Sequence, residues 1–190
     1  KAGAYNQATT TALANEIYGA LSKFTTTGAL EWSTYYTDQV GNVPLTISHD
    51  RYNNIYLGGV GGPATPVMNK AGAYNQAISG TGDAWLAKYN ACGVQQWGSF
   101  FGGSGSTDIL NTIEVSEEGE VYFAGQSGGS AGFPIQAGAG SYNQAAYGGG
   151  TYDAFIGKLD GNLALEWSTF WGSAGDEIAY NIDINDQGVV

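Results

Sequence analysis

Hydrophobic and polar positions alternate along this chain in short bursts, each rich in Val, Ile, Tyr, Phe and Trp and bounded by Gly, Asn, Asp or Ser. A period of two over so few residues predicts short β-strands joined by hairpins. Residues 44–49 with 54–59, and 111–116 with 120–125, read as two such hairpins; 181–185 opens a third ahead of Gly188. Glu117-Glu118-Gly119 and Asn185-Asp186-Gln187-Gly188 supply turn chemistry, with glycine where positive φ is needed. No segment carries a convincing helical period. The Ala/Leu-containing run over 9–22 comes nearest, and it aligns with strands elsewhere in the chain.

These elements recur. Ala-Gly-Ala-Tyr-Asn-Gln-Ala fills residues 2–8 and 71–77, and returns as Ala-Gly-Ser-Tyr-Asn-Gln-Ala at 139–145. Its tyrosines, Tyr5, Tyr74 and Tyr142, stand 69 and then 68 positions apart. After each phrase come a lysine followed by an aromatic residue or Leu (Lys23-Phe24, Lys88-Tyr89, Lys158-Leu159) and a tryptophan (Trp32, Trp97, Trp167). Such a period marks an array of similar units. Residues 1–70 form a divergent first repeat, 71–138 the second and 139–190 a truncated third. Four strands per unit give about twelve in all.

Alternation also locates the faces. In 154–159, Phe155, Gly157 and Leu159 share one side. The Gly157 position holds Ala87 and Ser22 in the other units, so it is small each time. The segments after the tryptophans carry aromatics on both sides, Trp97 and Phe101 on one and Phe100 on the other. A strand apolar on both faces is covered on both. Four-stranded antiparallel sheets packed face to face around an axis provide that environment, so the expected fold is all-β, a partial β-propeller of about three repeats. A sandwich, with one solvated face per sheet, predicts cleaner alternation.

Composition narrows the function. With 17 acidic against 6 basic residues the net charge is −11, and only 12% of residues are charged. A negative surface without a basic cluster argues against nucleic-acid binding and against anionic membranes. No apolar run approaches the roughly 20 residues that span a bilayer. Cys92 is the single cysteine, in a turn where the other units have Thr27 or Asn162, so no internal disulfide is expected. Lys1 falls inside the loop phrase and Val190 inside a strand. The expectation is an excerpt of a longer repeat protein, or a ring shared between several chains.

The inventory for catalysis is thin. His49 is the only histidine, placed near a turn, so no histidine-based metal cluster is expected. Gly103-Ser-Gly-Ser-Thr107 is glycine-rich but lacks the lysine and the helix of a phosphate loop. Asp108, Asp176 and Glu177 occupy equivalent loops after the tryptophan strands and are the carboxylates a calcium ion would use; as solvated loop residues they need no ion. Asp183-Ile-Asn-Asp186 superficially resembles a calcium loop, but Ile182 and Ile184 alternate as a strand and the twelfth-position glutamate is missing. Asp83 and Asp153 precede strands, where bonding to backbone N–H groups is the expected role. The framework tryptophans are expected in the core. Tyr147 and Trp171 depart from the repetition and are the candidates for exposed ligand contacts, for instance with a sugar ring. The sequence therefore predicts no enzyme and no cofactor.

Three linked runs carry a family resemblance: Asp-Ala-Phe-Ile-Gly-Lys-Leu at 153–159, Leu-Glu-Trp-Ser-Thr-Phe at 165–170 and Gly-Ser-Ala-Gly-Asp-Glu at 172–177. The second unit matches with Asp-Ala-Trp-Leu-Ala-Lys at 83–88, Gly-Gly-Ser-Gly at 102–105, Gly-Glu-Val-Tyr-Phe-Ala-Gly at 119–125 and Phe133-Pro134. Together they resemble the bacterial seven-bladed β-propeller repeat (SBBP) family over nearly the whole chain. The first unit departs from it, with Tyr18 at the aspartate position and Thr37-Asp38 in place of Gly-Gly. The resemblance implies a propeller in a secreted or cell-surface protein, often of gliding or biofilm-forming Bacteroidota with type IX secretion. It implies no catalytic activity. The expectation is a non-enzymatic extracellular scaffold mediating adhesion or protein–protein contact. A glycan-binding module and an accessory propeller of a secreted hydrolase are the alternatives.

Overall fold

The computed structural model describes residues 19–35, 43–105, 107–129 and 131–185. Among them every regular element is a strand: β1 (Ala20–Phe24), β2 (Leu30–Tyr35), β3 (Val43–His49), β4 (Ile55–Gly61), β5 (Asp83–Tyr89), β6 (Gln95–Phe101), β7 (Asp108–Val115), β8 (Val121–Ser127), β9 (Asp153–Leu159) and β10 (Leu165–Trp171). Both expected hairpins form, as β3–β4 and β7–β8. Gly119 takes the positive φ expected of its turn, at 88°. Residues 9–18 of the Ala/Leu run, together with Thr37, Asp38 and the turn at Asp186 to Gly188, lie outside the described residues.

Residues 181–185 form no strand, contrary to expectation. A strand exists only by pairing, and the stretch expected to complete this hairpin, 188–190, lies outside the described residues. The segment is held by side chains instead. Ile182 N–H donates to the Thr112 hydroxyl (3.3 Å), that hydroxyl donates to Asn181 Oδ1 (3.3 Å), and Ile182 packs on Tyr122 and Ala124.

The strands form two antiparallel four-stranded meanders, β3-β4-β5-β6 and β7-β8-β9-β10, and a two-stranded sheet, β1-β2. The repeated phrase sits in the β4–β5 and β8–β9 connections. Each meander therefore takes its first two strands from one sequence repeat and its last two from the next.

The two meanders pack face to face. Their shared core holds Ala84, Leu86, Trp97 and Phe101 from one side against Leu110, Ile113, Phe123 and Phe155 from the other. The opposite face of β5 and β6 is buried as well, with Trp85, Ala87, Tyr89 and Phe100 joining Leu57 in a second cluster. Fully burying side chains of this size stabilises by about 1.5–3 kcal/mol each. Aromatic rings run through the shared core, Tyr74 stacked on Phe101 at 4.4 Å and Phe101 tilted against Phe123 at 4.6 Å. Gly157 lies over the Phe123 ring; a Cβ there would sit 2.4 Å from Cζ, which is why this position stays small. A recurring polar contact fixes the stacking register. Thr46 Oγ1 accepts from Ile113 N–H (3.1 Å), just as Thr112 Oγ1 accepts from Ile182 N–H.

Candidate functional site

Carboxylates gather where one sheet passes to the next. Asp83 and Asp153 open β5 and β9, Asp108 opens β7, and Glu177 stands in the Asp108 place after β10. The backbone makes this equivalence explicit: Asp108 N–H donates to Gly82 O (3.0 Å) and Glu177 N–H to Tyr152 O (2.8 Å). Asp83 with Asp108, and Asp153 with Glu177, are thus two copies of one arrangement. Asp83 accepts the Ser79 N–H (2.7 Å), the Ser79 hydroxyl (3.1 Å) and the Gly80 N–H (3.1 Å). Asp108 Oδ2 accepts the Gly103 N–H (2.8 Å), and Glu177 accepts both the N–H and the hydroxyl of Ser173 (2.8 Å each). Glycine is required between the partners. A Cβ on Gly102 would lie 2.5 Å from Asp83 Cγ and 2.8 Å from Asp108 Oδ2, and one on Gly172 would lie 2.2 Å from Asp153 Cγ. The Gly-Gly and Gly-Ser pairs of the repeat follow from this crowding.

Asp83, Asp108 and Asp153 are each fully buried. The expected backbone bonding of Asp83 and Asp153 is present, yet Oδ1 of Asp108 and Oδ1 of Asp153 receive no donor. Burial pushes the Asp108 carboxyl up to about 6, with the Asp83 charge adding to it, against the opposing pull of Ser127, Gly103 and Gly128. Asp108 is therefore a buried acid that takes up a proton in mild acid, rather than a solvated loop residue. Asp176 is exposed and accepts the N–H groups of Thr151 and Tyr152. It lies next to Glu177 in the segment after β10, apart from Asp108. Among the described residues no three His, Cys, Asp or Glu side chains converge so as to hold a metal ion.

The repeated phrase has a plain structural task. Gln76 Nε2 donates to Gly102 O (2.7 Å) and Gln76 Oε1 accepts from Gly102 N–H (3.2 Å). Gln144 repeats this on Gly172, at 3.1 and 3.2 Å. The backbone of the same glutamines caps the outer edge of the sheet: Phe100 N–H donates to Gln76 O (3.2 Å) and Phe170 N–H to Gln144 O (3.1 Å). Tyr74 and Tyr142 donate to the same glutamine oxygens (2.8 and 3.2 Å), and Trp97 Nε1 donates to Tyr74 O (2.8 Å). The phrase is an edge clamp. The recurrence of the phrase is plain in the sequence but this role is not; its signal is a glutamine at a nearly constant distance ahead of the Gly that follows the aromatic pair in the second and third units, Gln76 before Gly102 and Gln144 before Gly172.

The recurring lysines are likewise engaged within the fold. Lys88 Nζ lies 4.9 Å from the Tyr56 ring centre and 3.9 Å from Asp50; Lys158 lies 5.3 Å from the Tyr122 ring and pairs with Glu120 (2.8 Å) and Glu166 (2.9 Å). Burial alone would lower the Lys158 ammonium, but these two carboxylates outweigh it and raise it.

The aromatic candidates separate. Tyr147 is half-buried, edge-on to Phe170 at 6.0 Å, with its hydroxyl on Gly150 O (3.3 Å). Trp171 is 57% exposed and pairs with Tyr142 at 5.2 Å. They occupy the places of Phe101 and Tyr74, and Phe101 is wholly covered by the next sheet. Trp32 and Trp97 are buried, whereas Trp167 is only half-buried and lines a groove with Gly138 to Ser141. His49 ends β3, exposed, and Cys92 is an exposed free thiol in the β5–β6 turn. No family model and no curated protein matches this chain.

Proposed function

We propose that this chain is a run of β-propeller blades serving as a non-enzymatic, extracellular scaffold of a bacterial secreted or surface protein, where it mediates adhesion or protein–protein contact. The observation that carries this reading is where the recurring polar side chains go. Gln76, Gln144, Lys88, Lys158 and Asp83 all close on the chain's own backbone or neighbouring side chains. What repeats in the sequence therefore specifies architecture, and function falls to the surfaces between repeats. Face-to-face four-stranded meanders, joined in one register by Thr46 and Thr112, support the propeller reading. The resemblance to bacterial propeller repeats supports the compartment. The low charge and net of −11 suit a solvated outer surface.

The test is surface proteolysis and immunolabelling of cells producing the natural protein, beside an in-frame deletion of this segment. Surface exposure and loss of attachment on deletion are the expected results. An intact protein confined to the cytoplasm would sink the proposal.

A further inference from the structure

The two framework lysines keep different company. In the β7–β10 sheet Lys158 is held by two glutamates, Glu120 (2.8 Å) and Glu166 (2.9 Å). The β3–β6 sheet puts amides in both places, Asn54 just ahead of β4 and Gln96 just ahead of Trp97. Matching turns fix the first equivalence: Asp50 N–H donates to Asn54 O (3.2 Å) as Ser116 N–H donates to Glu120 O (2.9 Å). Gln96 turns away to the carbonyls of Val94 and Gln95. An acid stands instead at Asp50, in the place of Ser116.

One oxygen gathers the new set. Asp50 Oδ2 accepts from Asn54 Nδ2 (2.7 Å) and from the Tyr56 hydroxyl (3.3 Å), and it lies 3.9 Å from Lys88 Nζ. Oδ1 accepts the N–H groups of Tyr52 and Asn54 (2.9 Å each), which holds the carboxylate in place. The site is screened from water: the Asp50 side chain is 1% exposed and that of Lys88 16%. The buried Tyr56 ring lies 4.9 Å from Nζ, and Gly119 of the next sheet sits over the Tyr56 hydroxyl and Asp50.

Burial lowers the Lys88 ammonium, with Asp50 opposing and Lys70 adding to the fall. Burial would raise the Asp50 carboxyl, but its bonds to Asn54 and the charge of Lys88 hold it below its ordinary value. A desolvated amine that gives up its proton is a nucleophile, and a carboxylate beside it is a base. Here the same carboxylate also holds a carboxamide.

We propose that Lys88 and Asn54 are the partners of an intramolecular isopeptide bond, formed with Asp50 as proton carrier. After the ammonium proton passes to solvent, neutral Nζ attacks Asn54 Cγ. The Nζ–Cγ bond forms, Asp50 takes a proton from Nζ and delivers it to Nδ2, the Cγ–Nδ2 bond breaks and ammonia leaves. No oxidant or co-substrate enters the balance. Rotation about the four-carbon stem of Lys88 brings Nζ to the carboxamide. In the sister sheet the side chain at the Asn54 position meets its lysine at 2.8 Å. Lys158 takes no part in such chemistry, because Glu120 and Glu166 raise its ammonium and keep it charged. The bond ties the start of β4 to β5 covalently. The inference rests on these side chains and stands apart from the proposed role at the cell surface.

The test is mass spectrometry of the purified natural protein after digestion with trypsin under denaturing conditions. Trypsin should skip Lys88 and release the peptide 52–70 joined to 71–158, one ammonia lighter than the two together. Lys88→Met and Asn54→Ala should each release the two segments unjoined. Asp50→Asn, which keeps the size of the side chain, should lower the joined fraction at least tenfold. Separate peptides from the unaltered protein, ammonia loss that survives Lys88→Met (as an asparagine succinimide gives), or full joining in Asp50→Asn would each overturn the inference. None of these results bears on cell-surface location.

Discussion

Replacing Asp108 with asparagine tests the buried carboxylate pair directly. In the folded chain the Asp108 carboxyl holds its proton up to about pH 6, against an ordinary value of 3.8. Between those limits the folded state binds more protons than the unfolded one, so stability falls as pH rises. Above pH 6 the charge is buried beside Asp83 and the loss is complete. At about 1.36 kcal/mol per pH unit, the step from 3.8 to about 6 comes to roughly 3 kcal/mol. Asparagine is neutral throughout. Its carbonyl can accept from Gly103 N–H as Oδ2 does now, and its amide fills the place of Oδ1, which receives no donor. Asp108→Asn should therefore match the wild type near pH 4 and exceed it by up to about 3 kcal/mol at pH 7.5. Urea unfolding of both proteins at pH 4, 5, 6 and 7.5 measures that difference. A difference that stays flat with pH, or that disfavours the variant more at neutral pH than in acid, would refute the burial argument.

Gln76→Ala removes the edge clamp, leaving the Gly102 N–H without its acceptor and the Gly102 carbonyl with the Ser79 hydroxyl alone (3.1 Å); a loss of about 2–3 kcal/mol is expected. The melting temperature should fall by roughly 5–10 °C, checked by calorimetry. Gly157→Val drives a side chain into the Phe123 ring and should cost about 1–3 kcal/mol or more, with altered near-ultraviolet circular dichroism from the aromatic core. Trp97→Ala, at a fully buried position, should cost about 3–5 kcal/mol. Trp171→Ala should stay within about 0.5 kcal/mol, since that ring is 57% exposed; a large loss on denaturant unfolding would show that it packs.

Much of the fold was legible because alternation and turn chemistry are local. Both hairpins, the positive φ of Gly119 and the small residue at Gly157 followed from residues a few positions apart. Strand identity at 181–185 did not, because alternation alone supplies no ladder partner; among the described residues the segment is tied to Thr112 instead. The site was legible only as a set of residue types. Asp83, Asp108, Asp153 and Glu177 were each noticed as loop or strand-edge acids. Their pairing depends on Gly82 meeting Asp108 and Tyr152 meeting Glu177 across sheet junctions, which no local pattern announces.

The sequence by itself determined that this is a β repeat protein, with a period near 69 residues, strands apolar on both faces and glycines where bulk is forbidden. Those features are written in spacing, and spacing is a property of the chain alone. The tertiary structure decided which strands share a sheet, drawing each meander from two successive repeats. It also decided which equivalent residues differ in fate. Trp97 and Trp167 have the same local setting, yet one is buried and the other half-buried. Ile113 is covered where Ile47 is not. Burial is conferred by partners distant in the chain, so identical local signals end in core, edge or surface according to what lies against them.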